Sequence, residues 1–268
     1  MSTITFVTAN YVARVVGFRM TGGWGQGDRT TNDYFRPIET YRARFDELLG
    51  AIQALGFQQV DLWNPHLNWT WATEEHIAIA RDVLAQRGMS VASMAGGFGD
   101  SVEEFERACQ LAAAIGMPML GGSTAAIDGD RDGVVALLEH YDLRLALENH
   151  PQIPTPEAML MKIGDGGAGR VGTAIDTGWY ASMQCDAAKA IDVLGPHIMH
   201  VHLKDVHAPK GHETCRFGQG IVPLEVSVAA LQRLGYRGPI AIEDEPEMHD
   251  PSENCVADLQ MLRRWLAP

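Results

Sequence analysis

The sequence predicts an α/β protein built as a single (β/α)8 TIM barrel over residues 1–268. Three observations carry this expectation. Short β-rich runs alternate with longer helical patterns, and that alternation implies a parallel sheet. There are eight of each in 268 residues, which suits a closed barrel better than the alternative, a doubly wound open sheet. Glycines also stand where helices should stop, just ahead of the next strand. No composition break or long linker divides the chain.

The elements follow in order. The first strand is expected over residues 4–9. The stretch 17–37 is non-periodic and contains Gly22-Gly23-Trp24-Gly25-Gln26-Gly27-Asp28, so a functional loop is expected there. Its glycines lack the lysine and helix-start hydroxyl of a phosphate-binding loop. A helix over 39–55 stops at Gly56 and leads into a strand over 57–63. Thr73-Glu74-Glu75 puts a capping hydroxyl before first-turn acids and opens a helix over 73–86. Gly88 stops it before the strand 89–96. Ser101-Val102-Glu103-Glu104 opens the helix 101–115 in the same way, and Gly116 precedes the strand 117–121. Next come helix 133–141 and strand 143–149, then helix 155–163 and strand 171–176. Helix 186–194 stops at Gly195 before strand 198–204, and helix 224–234 stops at Gly235 before strand 238–244. Helix 252–267 completes the pattern.

Composition excludes several classes. With 46% hydrophobic and 21% charged residues the chain reads as a soluble globular protein. A net charge of −13 argues against nucleic acid as the main partner, although it does not identify a substrate. No apolar stretch approaches the roughly 20 residues that span a bilayer, so no membrane partner is expected. Met-Ser-Thr-Ile-Thr-Phe at the start lacks the basic region and apolar core of a signal peptide. Cys109, Cys185, Cys215 and Cys255 are scattered, with no Cys-x-x-Cys pair, so free thiols in a cytoplasmic protein are expected.

Four polar residues end apolar runs in the second half of the chain: Glu148, Asp176, His202 and Glu243. In a parallel barrel every strand ends on one face, and that face carries the active site. Strand period then sorts the side chains. Leu143, Leu145 and Leu147 share one side of their strand, and Ala146, Glu148 and His150 the other. Val171 and Ile175 are expected outward, with Ala174 and Asp176 inward. Met199, Val201 and Leu203 are expected outward, with His200, His202 and Lys204 inward. Ile240 and Ile242 are expected outward, with Ala241, Glu243 and Glu245 inward. Each of the three acids thus has an alanine two residues below it (Ala146, Ala174, Ala241), leaving room at the barrel mouth. The period sets the four polar residues side by side at one height. Three carboxylates and one imidazole make a site for a hard or borderline divalent cation.

At these residues the chain resembles the xylose-isomerase-like barrel superfamily of sugar isomerases, epimerases and related enzymes. The matching segments are Leu147-Glu148-Asn149-His150-Pro151, Ile175-Asp176-Thr177-Gly178 and His200-Val201-His202-Leu203-Lys204-Asp205, followed by Gly218-Gln219-Gly220 and Ala241-Ile242-Glu243. The resemblance implies one divalent ion held by Glu148, Asp176, His202 and Glu243. Ketose 3-epimerases of the superfamily usually have a histidine where this chain has Trp179, and an arginine where it has Ala208. The related three-zinc DNA-repair endonucleases need histidines on early strands, and Val91-Ala92-Ser93-Met94-Ala95-Gly96 has none. The inosose-dehydratase-like and keto-sugar lyase branches therefore stand beside the epimerases.

The expected chemistry is proton transfer on a keto- or aldo-sugar through a metal-stabilised enediolate. Mn²⁺ is the first choice for so oxygen-rich a set, with Mg²⁺, Co²⁺ or Zn²⁺ as alternatives. Glu148, His150 and Glu243 are the candidate catalytic bases. A lyase would use the same enediolate but expel a β-substituent such as water or a glycosidic group. A sugar-binding barrel with a structural metal is the non-enzyme reading. Lys204 either contacts substrate or pairs with Glu245 or Asp205 across the mouth. His200 lies a layer deeper than His202 and is expected to be a hydrogen-bonded core residue. Arg216 is a candidate contact for a sugar hydroxyl or phosphate, and Trp63 and His66 are candidate substrate contacts. Asn64, Trp69, Trp71 and Trp24 are further candidates for the pocket wall. The expected partner is a small-molecule sugar, and exposed helices of such barrels often pair into homo-oligomers.

Overall fold

The computed structural model describes residues 2–267. Its strands, in chain order, are β1 (Ile4–Val7), β2 (Gln59–Trp63), β3 (Ser90–Gly97), β4 (Met119–Ser123), β5 (Arg144–Glu148), β6 (Val171–Asp176), β7 (Ile198–Leu203), β8 (Asp205–Val206), β9 (Thr214–Cys215) and β10 (Ile240–Ile242). Eight of them close into a barrel in the order β1-β10-β7-β6-β5-β4-β3-β2, and every neighbouring pair is parallel. The other two, β8 and β9, form a small antiparallel ribbon after β7. The expected (β/α)8 architecture is the observed one.

Sequence-local rules account for much of this. Thr73 Oγ1 accepts the His76 N–H and Ser101 Oγ accepts the Glu104 N–H, so both expected caps form. Gly88 and Gly116 end those helices in the left-handed conformation. Leu145, Leu147, Val201, Leu203, Ile240 and Ile242 are buried between barrel and helices. Each such side chain contributes roughly 1.5–3 kcal/mol by leaving water. All four cysteines are free. Among the described residues no helix is long and apolar enough to cross a membrane.

Two expectations need correction. The stretch expected as a loop contains an α-helix, Trp24–Phe35. Its buried face is Gly27, Thr31 and Phe35, a helical spacing carried by residues that do not register as an apolar stripe. A Cβ on Gly27 would stand 2.5 Å from Val12 Cγ2, so this glycine permits close packing and does not mark a loop. Met199, expected outward, packs with the interior cluster of Met119, Ala146 and Ala174. The cause is a bulge: Thr173 pairs with Ile198 but Ala174 pairs with His200, so Met199 is skipped and strict alternation fails there. Ala146 and Ala174 therefore sit on a methionine floor beneath the barrel mouth.

A second bulge, between β2 and β3, pairs Asp61 with Ser93. It builds a buried polar layer inside the barrel. Thr5 Oγ1 and Ser93 Oγ donate to the Asp61 carboxylate at 2.7 and 2.9 Å. His200 Nε2 lies 3.0 Å from Asp61 Oδ2, while its Nδ1 donates to the Pro239 carbonyl at 3.1 Å. His200 is thus the buried, hydrogen-bonded residue expected of that position.

Candidate active site

The four strand-end residues converge. One potential ligand atom from each of Glu148, Asp176, His202 and Glu243 lies within 4.8 Å of the other three. His202 Nδ1 is 2.7 Å from Glu148 Oε1 and 2.9 Å from Glu243 Oε2. Lys204 Nζ is 3.0 Å from Asp176 Oδ2, 2.6 Å from Glu243 Oε1 and 3.3 Å from Glu245 Oε2. The expected single height holds only for Asp176 and His202, which are register partners. Glu148 is opposite Ala174, and His202 is opposite Ala241. Tilted barrel strands climb past one another, so Glu148 and Glu243 reach the same point from different registers.

Each motif residue has a distinct local task. Asn149 follows Glu148 and clamps the next strand: its Nδ2 donates to the Asp176 carbonyl at 2.9 Å, and its Oδ1 accepts the Asp176 N–H at 2.8 Å. His150 Nε2 is 3.0 Å from Glu148 Oε2. Asp176 Oδ1 accepts the Trp179 N–H and so caps the helix Thr177–Ser182, which fixes that carboxylate. Thr177 Oγ1 accepts the Lys204 N–H and donates to the Lys204 carbonyl, both at 2.9 Å. A Cβ on Gly178 would lie 2.6 Å from Lys204 Cγ, so glycine there leaves space for the lysine stem. Thr214 Oγ1 donates to Asp244 at 2.7 Å and accepts the Glu245 N–H at 2.9 Å, which orients Glu245 toward the ammonium.

The electrostatics are those of a cation site. Asp176, Glu243 and Glu245 surround the Lys204 ammonium while Glu148 lies against His150 and His202, and so many buried carboxylates are costly without cations to pair with them. Asp176 Oδ2, Glu243 Oε2 and both ring nitrogens of His202 are buried without a geometrically sound hydrogen bond, despite the short distances. Close polar atoms that do not aim at one another are what a shared central ion would satisfy. The residues present therefore fit a divalent metal. Burial pushes the Asp176 carboxyl up to about 6, with Glu243 and Glu148 adding to the rise and Lys204 opposing it. Burial also raises Glu243, but Lys204 and His202 outweigh it and bring the carboxyl to about 2. For Glu148 burial is again outweighed, by His202 and His150, and the carboxyl is held well below its usual range. Burial lowers the two histidines, yet Glu148 raises His150, and Glu148 with Glu243 raise His202 well above its ordinary value.

The family model described as the xylose isomerase-like TIM barrel matches residues 31–265. The chain belongs to the xylose isomerase-like TIM barrel family. Among solved structures of this fold, a D-tagatose 3-epimerase-like protein superposes with a TM-score of 0.71 at 16% identity, covering 98% of this chain and 97% of its own. The probable 3-DHS dehydratase of Bacillus anthracis superposes with a TM-score of 0.67 at 14% identity, covering 98% and 99%. At such identities the likeness is one of fold. An L-ribulose-5-phosphate 3-epimerase of Salmonella paratyphi C is 37% identical over 70 residues, 26% of this chain. The matched stretch spans only 23% of that epimerase.

Within this family barrel the remaining expected residues separate. Trp63 and Lys204 line the cavity above the four-residue cluster, as do Trp24, Asn64 and Trp69. Lys204 pairs with Glu245 and not with Asp205, whose carboxylate accepts the backbone N–H groups of Val206, Gly218, Gly220 and Val222. His66 does not line this cavity. Its Nδ1 is 2.9 Å from Thr8 Oγ1, its ring packs edge-on against Phe35 and Trp63, and burial lowers its pKa to about 3. It is a core histidine. Arg216 does not line the cavity either; the next residue, Phe217, is buried and its N–H donates to Asp258 Oδ1 at 3.0 Å. Trp71 donates to Asn32 instead of facing the cavity.

Sequence reasoning missed Trp179 and His212 as cavity residues. Their rings lie 4.3 Å apart, and Trp179 is 5.3 Å from His150. Trp179 did carry a signal, since it replaces the histidine of the 3-epimerase pattern. His212 lies in the loop between β8 and β9, where period gives no direction.

Proposed function

We propose that the protein is a divalent-metal-dependent sugar isomerase or epimerase, with Mn²⁺ as its ion and Glu148, Asp176, His202 and Glu243 as the ligands. The convergence of Glu148 and Glu243 on His202 Nδ1, from strands that flank β6 and β7, carries this reading. Bound there, a divalent ion supplies Lewis-acid stabilisation to the charge that grows on a keto-sugar oxygen as the adjacent proton leaves. One glutamate, as the carboxylate, removes that proton, and the other, which has first taken a proton from solvent, delivers it to the same carbon from its own side and inverts the centre; the first then gives its proton to solvent. Return to the neighbouring carbon gives the isomer. Lys204, fixed by Thr177 and Gly178, orients Glu243 and Glu245 and holds an ammonium where a substrate oxygen would come to rest. The four free cysteines fit a reducing compartment, and we infer a cytoplasmic enzyme.

A lyase is the second reading, and His150 favours it. Its ring is within 3.0 Å of Glu148, which raises its pKa and leaves it a proton to give. In that reaction Glu148 takes the α-proton, the C–H electrons form a C=C bond, and the bond to the β-substituent breaks with its electron pair. The imidazolium of His150 then protonates the departing group.

NMR of a keto-sugar panel in D₂O with the Mn²⁺-loaded protein tests both. Deuterium entering at the α-carbon without loss of sugar supports epimerisation or isomerisation. Loss of a β-substituent supports the lyase. No exchange with any sugar of a broad panel sinks both readings.

A further inference from the structure

The cavity above the ligand cluster has a volume of about 550 Å³. A hexulose has twelve non-hydrogen atoms. Counting each at a full water's share of roughly 30 Å³, generous for bonded atoms, gives about 360 Å³. A free sugar bound at the ligand cluster thus leaves roughly 190 Å³ of the cavity unfilled. The surplus has a defined lining. Gly96 and Gly97 of β3 and Gly122 of β4 line it, and a Cβ on Gly96 or Gly122 would collide with Asn64 or with the Gly96 carbonyl, so those two glycines serve close packing. A Cβ on Gly97 would meet nothing within 4 Å, so that space is open. Beyond it stand Trp24, Trp63 and Trp69.

These tryptophans are fixed before any ligand arrives. Trp24 and Trp63 pack edge to face with centroids 5.0 Å apart. Trp69 Nε1 donates to the Gly97 carbonyl at 2.9 Å, which ties the ring to the glycine floor. Arg107, which does not line the cavity, lies 5.3 Å over the Trp69 ring and adds a cation–π contact to it. Rigid aromatic walls of this kind bind apolar and aromatic groups at little ordering cost.

Charge argues in the same direction. Arginine forks and free lysines are the side chains that pair phosphate by charge. Among the described residues no arginine lines the cavity, and its one lysine, Lys204, is surrounded by Asp176, Glu243 and Glu245. Asp28 adds a carboxylate to the tryptophan end. We propose that the glycine–tryptophan end of the cavity is a subsite for an aromatic or apolar substituent, and that the substrate is an uncharged keto-sugar conjugate carrying such a group, neither a sugar phosphate nor a free hexulose. This rests on the reading of the ligand cluster as the sugar-binding end.

Calorimetry of the Mn²⁺-loaded protein with three matched ligands tests it: 6-O-benzyl-fructose, fructose and fructose 6-phosphate. The benzyl ether is expected to bind at least about tenfold more tightly than fructose, a modest return for one stacked ring. The phosphate is expected to bind no better than fructose. Trp69→Ala should remove the advantage of the benzyl ether. Gly97→Leu, which puts a side chain into the open space and leaves all three tryptophans in the sequence, should do the same, with Mn²⁺ content reporting on folding in both variants. Equal affinity for benzyl ether and fructose, or tighter binding of the phosphate, overturns the proposal. So does an undiminished benzyl advantage in both folded variants. Hydrogen exchange at the α-carbon is a separate readout: its absence counts against the isomerase and lyase readings, while selective benzyl-ether binding still supports the subsite.

Discussion

The side-chain amide of Asn149 makes both backbone hydrogen bonds of Asp176, donating to its carbonyl at 2.9 Å and accepting its N–H at 2.8 Å. A side chain just past the end of β5 thereby takes the place of the ladder rung that would have held the last residue of β6. Both residues are fully buried, so neither backbone group has water to fall back on. Asn149→Ala leaves a buried donor and acceptor unpaired and should cost about 2 kcal/mol or more of stability. It should also weaken metal binding by roughly 10–100-fold, as expected when a ligand loses its outer support. Chemical denaturation and metal titration of the variant check both numbers.

Gly178 and Lys204 form a second coupled pair. A methyl at position 178 would press on Lys204 Cγ and Cδ at 2.6 and 2.7 Å. Gly178→Ala is therefore expected to destabilise by about 1–3 kcal/mol. The penalty should shrink in a Lys204→Ala background, because the two closest atoms are removed and only Lys204 Cβ, at 3.0 Å, remains of the three nearest. A double-mutant cycle measures the difference, and additive losses would show that the strain lies elsewhere.

Metal affinity should fall in acid. The Asp176 carboxyl is raised to about 6, and a ligand must be deprotonated to bind. Above about pH 6 the carboxylate is available. Below it, each proton displaced should weaken Mn²⁺ binding by about tenfold per pH unit. Titrations at pH 7.5, 6 and 5 check the slope. An affinity unchanged between pH 7.5 and 5 would contradict the assignment of Asp176 as a ligand.

Asp258 lies away from the cluster and offers a stability test. Burial pushes its carboxyl up to about 8, while its Oδ1 accepts the Phe217 N–H and its Oδ2 is buried without a partner. The folded state then holds a proton that the unfolded chain releases near pH 4. Unfolding free energy should decline as pH rises from about 4 to about 8 and level off above. Asp258→Asn keeps the acceptor and removes the titration, so the variant's stability should gain on the wild type's across that window. Parallel stability profiles for the two proteins would refute the account.

The barrel was legible because its signals are local. Capping hydroxyls at Thr73 and Ser101, glycine stops at Gly88 and Gly116, and alternating apolar runs each act within a few residues. The convergence of Glu148, Asp176, His202 and Glu243 was legible for a related reason, since strand period fixes which side of the sheet they face. What escaped depended on contacts across the fold. The helix Trp24–Phe35 buries glycine and threonine and shows no apolar stripe. Met199 turns inward at a bulge that two strands make together. His66 and Arg216 lie in segments that follow β2 and β9, but neither lines the cavity: the His66 ring is held by Thr8, and the residue after Arg216 is anchored to Asp258. Asn149 was visible in the motif, but its task required knowing which backbone lay beside it.

The most direct test is a Mn²⁺ titration of the purified wild-type protein beside a Glu148→Gln/Asp176→Asn double variant, both first stripped of metal and shown to be folded. The wild type should take up one divalent ion per chain, and the double variant should lose that site. One ion per chain at undiminished affinity in the double variant would contradict the account at its centre.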